Sequence, residues 1–297
     1  MHRRLFLAIF SLISFAIGGA VPAADSPQIE ADVVYGHKDG LALTFDVIRP
    51  AKPNGAAVLW LQSGGWYSNW TEPKNLLPAC RPMLNEGYTV CIVRHGSAPR
   101  FNVLDAVADV RRCVRYIRLN ADKLQIDADR LGVTGGSAGG HLTLVLATTA
   151  DDGDPSAKDE VLRQSSRIAA GVALYPPTDL RSWTTNPPEA IRKIPALKPP
   201  LTFAAANESD VSPLLHVSEK TAPVLMIHGD KDELVPIEHS IKMAAALEKV
   251  QSRHKLLTIE GAGHSFTPQQ NQTLVGPAML EWFGKYLAKK DDRESGK

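Results

Sequence analysis

The sequence predicts an α/β fold with a mostly parallel sheet and helices on both of its faces. The first observation is that strand-like apolar runs alternate with helix-like runs along most of the chain. The second is a glycine-flanked serine, Ser137, between an apolar strand pattern and a helix pattern. The 297 residues, 44% hydrophobic and 22% charged, suit one large domain better than two small ones.

An opening hairpin is predicted by two runs, 29–35 and 41–48, around a turn at 37–40. Later strands are predicted at 56–61, 89–93, 131–134, 168–174, 224–228 and 255–259. Helices are predicted at 75–86, 103–119, 138–150, 238–249 and 273–288. Strands that alternate with helices imply a parallel sheet whose ligand sites lie at the carboxyl ends of the strands.

The first residues have the pattern of a secretory signal: basic residues at 2–4, an apolar run at 5–17, then small residues up to Ala24. Cleavage after Ala23 or Ala24 is favoured over an uncleaved anchor, because the run is shorter than the roughly 20 residues that span a bilayer. We therefore expect an exported protein, periplasmic or secreted. The predicted division is a signal peptide at 1–24, one α/β domain at 25–290 and a polar, disordered tail at 291–297.

One segment, 176–222, breaks the alternation of strands and helices. It carries repeated prolines and only short helical stretches, and it is too long for a plain connector. We interpret it as a small cap over the site that shapes substrate choice. A surface excursion without substrate contact stays an alternative.

The run around Ser137 predicts a nucleophile. A strand that reverses sharply into a helix strains the residue at the apex, and Gly135 and Gly139 let the neighbouring backbones pass. Serine is a weak nucleophile, so it needs a neutral imidazole as base and a carboxylate that orients the imidazole. Two later strand ends supply candidates for both groups: Asp230 and Asp232 after the 224–228 strand, and His264 after the 255–259 strand.

The order serine, acid, histidine and these three motifs together resemble the α/β-hydrolases of the esterase and lipase branch, close to the prolyl-oligopeptidase-like hydrolases. The resemblance covers nearly all of the chain after the signal. It implies an α/β-hydrolase fold in which Ser137 is the nucleophile, His264 the base and Asp232 the acid. Asp230 is the runner-up for the acid, with a turn-stabilising role as its alternative. His141 and His228 are expected to pack or hydrogen-bond nearby.

The oxyanion hole is assigned to the N–H groups of Ala138, Gly64 and Gly65. The resembled family has His-Gly-Gly-Gly in the early loop, whereas this chain has glutamine and serine at 62 and 63 before the two glycines. The departure leaves open how the loop is supported without that histidine.

Two residues near this loop are assigned to substrate binding. His95 follows the 89–93 strand where many relatives carry a different pattern, and Trp66 follows the donor glycines. Aromatic residues in such loops are as often part of the core, which stays an alternative for Trp66.

The three cysteines are an odd number for an exported protein, so at least one is free or paired between chains. Cys91 and Cys113 lie in apolar runs and are expected to be buried. A bridge between Cys80 and Cys113 stays open. A metal held by His228, Asp230 and Asp232 is weakly supported, so no metal is assigned.

These features predict an exported serine hydrolase that cleaves short acyl or carbohydrate esters through an acyl-enzyme and needs no cofactor. The net charge of +1 without a basic stripe gives no reason to expect nucleic acid or an anionic membrane as a partner. Two alternatives remain: a prolyl-oligopeptidase-like peptidase, and an inactive binding protein on the same fold. The sequence predicts neither the particular ester nor the oligomeric state.

Overall fold

The computed structural model describes residues 26–289, which form one eight-stranded sheet with helices on both faces. The predicted signal peptide and the predicted 291–297 tail lie outside these residues. The order of the strands across the sheet is β1-β2-β4-β3-β5-β6-β7-β8. The strands are β1 Gln28–Lys38, β2 Leu41–Arg49, β3 Ala57–Leu61, β4 Thr89–Val93, β5 Leu131–Gly136, β6 Ala170–Leu174, β7 Val224–Gly229 and β8 His254–Ile259.

The sheet is mostly parallel, as the sequence predicts. β1 pairs antiparallel with β2, and β2 pairs antiparallel with β4, while all pairs from β4 to β8 are parallel. Side chains alternate along the central strands, so Leu59 and Cys91 face one core, and Val58 and Val90 face the other. The two cores leave the carboxyl ends of the parallel strands free to carry a site.

The helices cover the two faces unequally. Buried residues of α2, α4 and α6 share one core, and those of α1 and α8 share the other. The helices are α1 Pro73–Asn85, α2 Val103–Leu119, α3 Ala121–Leu124, α4 Ala138–Thr148, α5 Glu189–Arg192, α6 Glu238–Lys249, α7 Pro268–Gln270 and α8 Gly276–Leu287, the last preceded by a π-helical turn at Asn271–Val275. No helix within residues 26–289 is long and apolar enough to cross a membrane.

Local sequence explains two helices that border the site. α2 begins at a reciprocal cap, in which the Asn102 side chain accepts hydrogen bonds from the N–H groups of Leu104 and Asp105 and the Asp105 carboxylate accepts one from the Asn102 N–H. α4 is buried over nearly its whole length, from Ala138 to Ala147. Its apolar sequence suits a helix that lies under other elements on every side.

The boundaries differ slightly from the sequence predictions. α1 begins at Pro73 rather than at residue 75, because proline fits the first helical turn, where its missing N–H costs no hydrogen bond. β6 begins at Ala170 rather than at residue 168, because its pairing with β5 starts between Ala170 and Gly132. The predicted 273–288 helix divides into the π-helical turn and α8.

The segment 176–222 contains α5 and a series of short 3₁₀ helices. Apolar side chains from this segment, including Leu180, Trp183 and Val211, are buried in the core on the α4 face. The segment is therefore packed onto the domain. Its role as a substrate-shaping cap stays a prediction.

All three cysteines are buried and free, so the Cys80–Cys113 bridge left open by the sequence does not form. Cys91 and Cys113 are buried, as predicted. Burial raises the pKa of the Cys80 and Cys91 thiols to about 12, which keeps both groups protonated and unreactive at neutral pH.

Candidate active site

Ser137 lies at the apex of a sharp turn between β5 and α4. Its φ of 53° and ψ of −116° are a strained combination for a residue with a side chain. The glycines beside it are required by space: a Cβ at Gly135 would lie 2.6 Å from the Gly139 carbonyl carbon, and a Cβ at Gly139 would lie 2.7 Å from the Leu61 carbonyl oxygen. The turn therefore presents the serine hydroxyl at the carboxyl edge of the sheet.

The structure brings Ser137, His264 and Asp232 into one line of hydrogen bonds. Ser137 Oγ lies 2.8 Å from His264 Nε2, and His264 Nδ1 lies 2.8 Å from Asp232 Oδ2. With Nδ1 protonated, His264 donates to the carboxylate and accepts from the serine hydroxyl. This arrangement can remove a proton from Ser137 and stabilise the positive imidazolium that results.

Asp232 is a buried carboxylate with several donors around it. Its Oδ1 accepts hydrogen bonds from the N–H groups of Leu234 and Val235, at 3.0 and 2.9 Å. Its Oδ2 accepts from His264 and also lies 3.2 Å from His228 Nε2. Burial alone would raise the pKa of Asp232, but the hydrogen bonds from the two histidines outweigh it and hold that pKa well below the usual range. Asp232 is therefore ionised at neutral pH.

The runner-up acid, Asp230, has another partner. Its Oδ1 accepts a hydrogen bond from the Gly261 N–H at 2.7 Å, which ties the β7 turn to the turn after β8. This is the turn-stabilising role that the sequence offers as its alternative. Within residues 26–289, no three histidine, cysteine or carboxylate side chains are grouped so that they could hold a metal ion.

Of the three predicted oxyanion donors, Ala138 and Gly65 have N–H groups free to bind. Ala138 is the first residue of α4, where N–H groups have no acceptor inside the helix. The hydrogen bonds of residues 26–289 make no use of the Gly65 N–H. The prediction for Gly64 is wrong, because its N–H donates to the Tyr67 carbonyl oxygen at 3.0 Å and the Tyr67 N–H donates back to Gly64.

Trp66 is not placed to bind a substrate, so that prediction is also wrong. It is only 3% exposed, and its indole N–H donates to His141 Nδ1 at 3.2 Å. His141 Nε2 in turn lies 2.7 Å from the Val211 carbonyl oxygen. This ring therefore connects α4 and the 176–222 segment to the loop at 62–67 after β3, called the oxyanion loop below after its predicted role. Burial lowers the pKa of His141 to about 4 and keeps the ring neutral near pH 7.

His95 is likewise enclosed, which overturns its assignment to substrate binding. It is 4% exposed, and both ring nitrogens have partners inside the protein. Nδ1 lies 2.8 Å from the Gly96 carbonyl oxygen, and Nε2 lies 2.8 Å from Ser63 Oγ. Burial lowers the pKa of His95 to about 4. The residue is thus a neutral, internal hydrogen-bonding group.

Two residues that the sequence does not mark as functional lie close to the predicted site residues. The Tyr175 ring lies 4.9 Å from the His264 ring and 5.2 Å from the Phe266 ring, and so it borders the predicted base. Leu197 approaches from the 176–222 segment: a Cβ at Gly65 would lie 2.5 Å from Leu197 Cδ2. Tyr175 could have been predicted to lie near the site from its position directly after β6, because ligand sites of such sheets lie at the carboxyl ends of the strands. Nothing in the sequence marks Leu197.

The chain is similar in sequence to a known family and to several curated proteins. A model of the BD-FAE family matches residues 45–247. The chain is 29% identical over 245 residues to esterase LipC of Mycobacterium tuberculosis, covering 79% of this chain and 59% of LipC. The chain spans a little more than half the length of LipC and of similar curated relatives.

Solved structures show the same fold. A truncated carbohydrate esterase from gut microbiota superposes with a TM-score of 0.74 at 23% identity, covering 92% of this chain and all of that one. Esterase 2 of Thermogutta terrifontis, phosphonylated by sarin, superposes with a TM-score of 0.72 at 24% identity, covering 91% and 99% of the two chains. These likenesses confirm the predicted α/β-hydrolase fold.

Proposed function

Because the chain belongs to the BD-FAE family of α/β-hydrolases, we propose that it is a serine esterase that cleaves carboxylic esters with short acyl groups. The observation that carries this proposal is the continuous line of hydrogen bonds from Ser137 through His264 to Asp232, with 2.8 Å at both steps. The esterase names of the curated relatives support the reaction class. The proposed roles are nucleophile for Ser137, general base for His264 and orienting carboxylate for Asp232.

In the first step, Ser137 Oγ attacks the ester carbonyl carbon while its proton moves to His264 Nε2. The carbonyl oxygen becomes an oxyanion, which the N–H groups of Ala138 and Gly65 stabilise from the first turn of α4 and from the loop after β3. Asp232 remains ionised through this step and stabilises the imidazolium. The alcohol then leaves with the proton from His264, and an acyl group stays on Ser137.

In the second step, His264 removes a proton from water, and the hydroxide attacks the acyl carbonyl carbon. The same two N–H groups hold the second oxyanion. The carboxylic acid departs as the proton returns from His264 to Ser137 Oγ. His264 therefore returns every proton that it takes up during the cycle.

The limit to short acyl groups follows from two side chains. Leu197 covers the α-carbon of Gly65, close to where the carbonyl group must lie. Tyr175 packs against His264 and also fills the space beside Gly136, where a Cβ would lie 2.6 Å from the tyrosine hydroxyl oxygen. We infer that an acyl chain which extends from the carbonyl towards these residues has room for only a few atoms. The proposed substrate is therefore an ester with a small acyl part, such as a carbohydrate acetate.

The test compares the wild type with Ser137→Ala. We expect the wild type to hydrolyse p-nitrophenyl acetate and to react with a fluorophosphonate probe, and we expect the variant to lose both by a factor of roughly 10⁴ or more. A panel of p-nitrophenyl esters of increasing chain length, acetylated xylan and a peptide p-nitroanilide then separates esterase from peptidase. Folded wild type that neither turns over esters nor takes the label is the result that would refute the proposal.

We also propose that the protein is exported after cleavage near Ala24. The support is the charge and hydropathy pattern of residues 1–24, which lie outside the described part of the chain. The intact mass of the protein purified from the periplasm or medium of its host should lack this segment. Recovery of the uncleaved chain from the cytoplasm contradicts export.

A further inference from the structure

The oxyanion loop is held by hydrogen bonds at Gln62 and Ser63, the two residues that precede Gly64 and Gly65. Ser63 is held through two different atoms. Its hydroxyl meets His95 Nε2 at 2.8 Å, and its carbonyl oxygen accepts a hydrogen bond from the Gly139 N–H at 3.1 Å. One residue thus connects the loop after β3 to a histidine after β4 and to the first turn of the nucleophile helix.

The direction of the hydrogen bonds follows from the atoms present. His95 Nδ1 faces only a carbonyl oxygen, that of Gly96, so Nδ1 carries the proton and donates. Nε2 is then an acceptor, and the Ser63 hydroxyl must donate to it. Because the His95 ring and the Ser63 hydroxyl are both buried, water offers no substitute for this bond. The side chain of Ser63 is consequently restricted to one orientation.

The backbone around His95 is also held by hydrogen bonds. The Gly96 N–H donates to Asp109 Oδ2 at 2.8 Å, and Asp109 Oδ1 accepts from Lys38 at 3.1 Å. The His95 N–H lies 3.3 Å from Ser68 Oγ, and the Ser68 hydroxyl donates to the Gln62 carbonyl oxygen at 2.6 Å. The histidine therefore sits in a network that reaches from α2 to the oxyanion loop and touches that loop at two places.

We propose that His95, acting through Ser63, is a positioning residue for the oxyanion hole. The inference rests on the proposed function, since it concerns the same site. The N–H of Gly65 is two residues from Ser63, and the N–H of Ala138 is adjacent to Gly139. The backbone carbonyl oxygen of Ser63 accepts from the Gly139 N–H, and the side-chain bond to His95 holds Ser63 in the orientation that this backbone bond requires. The pair thereby maintains the distance between the two N–H groups that must meet one oxygen atom.

The consequence is specific to the transition state. The oxyanion forms only during reaction, so a loop displaced by a fraction of an ångström loses transition-state stabilisation while substrate binding changes little. A side chain that merely stabilises the fold would instead change the unfolding midpoint and leave the turnover of folded protein unaltered. These two outcomes can be measured separately.

The experiment uses the full-length enzyme with Ser63→Ala, His95→Leu, the double variant and His95→Gln. Ser63→Ala and His95→Leu should each lower kcat on p-nitrophenyl acetate about 10- to 100-fold with KM nearly unchanged. The double variant should be no slower than the slower single variant, because both remove one interaction. His95→Gln should recover most of kcat, because its amide oxygen can accept from the serine hydroxyl.

Ser166→Ala is the matched control. Ser166 is also fully buried, and its hydroxyl oxygen accepts a hydrogen bond from the Asp151 N–H at 2.9 Å, but it precedes β6 at the opposite end of the sheet. This variant should lose stability and keep kcat. Inhibition by a methyl trifluoromethyl ketone, which forms a tetrahedral adduct with serine, should weaken in Ser63→Ala in proportion to kcat/KM and stay unchanged in Ser166→Ala.

One measurement is independent of turnover. The N–H groups of Gln62, Gly64 and Tyr67 are hydrogen-bonded, so the exchange of these three groups with deuterium should be slow in the wild type. It should be faster in Ser63→Ala and His95→Leu, but not in Ser166→Ala. Unchanged exchange of these groups, or unchanged kcat in both single variants, overturns the inference. Wild type without any esterase activity would overturn the proposed function and with it the catalytic part of this inference. The exchange result would still decide separately whether the pair of Ser63 and His95 holds the loop.

Discussion

Acidification should break the contact between the oxyanion loop and the nucleophile helix at His141. The Trp66 indole N–H donates to His141 Nδ1, so a proton on Nδ1 would set two donors against each other inside the core. The other ring nitrogen already donates to the Val211 carbonyl oxygen and gains nothing from the change. A shift of pH from 7 to 5 is the change that tests this contact.

The magnitude follows from the pKa of His141 in the two states. Burial lowers it from 6.5 to about 4 in the folded protein, while the unfolded chain keeps a value near 6.5. The unfolded state then binds more protons between these values, so the contribution to stability is complete above about pH 6.5 and is lost as the pH falls towards 4. The expected loss of unfolding free energy from this one ring is about 2 kcal/mol between pH 7 and pH 5, and about 3 kcal/mol by pH 4.

The assay is urea unfolding of wild type and His141→Gln at pH 7 and pH 5, followed by tryptophan fluorescence. Glutamine can accept from Trp66 through its oxygen and donate to Val211 through its nitrogen, but it does not titrate. The buried rings of His95 and His239, whose pKa values are also lowered to about 4, remain in both proteins and cancel in the comparison. Wild type should lose about 2 kcal/mol more than the variant. Equal losses in the two proteins would refute the reasoning.

Three further outcomes are expected. Asp232→Asn should lower kcat by about 10⁴-fold, since an amide cannot stabilise the imidazolium, whereas Asp230→Asn should change kcat less than about tenfold; comparable losses would contradict the assignment of the acid. Gly139→Ala should destabilise the protein by more than about 2 kcal/mol in urea unfolding, because its Cβ would meet backbone, while Gly284→Ala, with open space around it in α8, should be neutral or slightly stabilising. Leu197→Ala should raise the ratio of kcat/KM for p-nitrophenyl butyrate over acetate about tenfold, and an unchanged ratio would show that Leu197 does not limit the acyl group.

The fold could be predicted in detail because its signals are local. The run at 89–93 is apolar apart from Thr89 and forms β4, which is buried on both faces, as a strand inside a sheet covered by helices must be. The Asn102–Asp105 spacing caps α2, and the helix begins at residue 103, as predicted. Less was predictable where neighbouring elements decide the boundary, as at the start of β6, because the pairing partner is distant in sequence.

The site was predictable to the extent that each group belongs to a motif at the end of a strand. Ser137, Asp232 and His264 follow β5, β7 and β8, and the structure brings them together. Gly64 and His95 were misassigned for a common reason: whether a polar group faces substrate or protein depends on a partner elsewhere in the chain. The partner of Gly64 is Tyr67 across a tight turn, and that of His95 is Ser63 in the loop after the neighbouring strand β3.

The strained residues of the chain explain why the site lies where it does. Trp66, Ser137 and Tyr175 all have positive φ, at 60°, 53° and 39°, and each follows a different parallel strand at the same edge of the sheet. Such conformations cost of order 1–3 kcal/mol each unless the surroundings enforce them. Here backbone hydrogen bonds do so: the Ser137 N–H donates to Leu174, and the Tyr175 N–H donates to Ile227, at 2.9 and 2.8 Å. The residues that follow β5 and β6 are thus each held by the next strand, so the regular sheet supplies the free energy that keeps these two positions of its edge in a strained conformation.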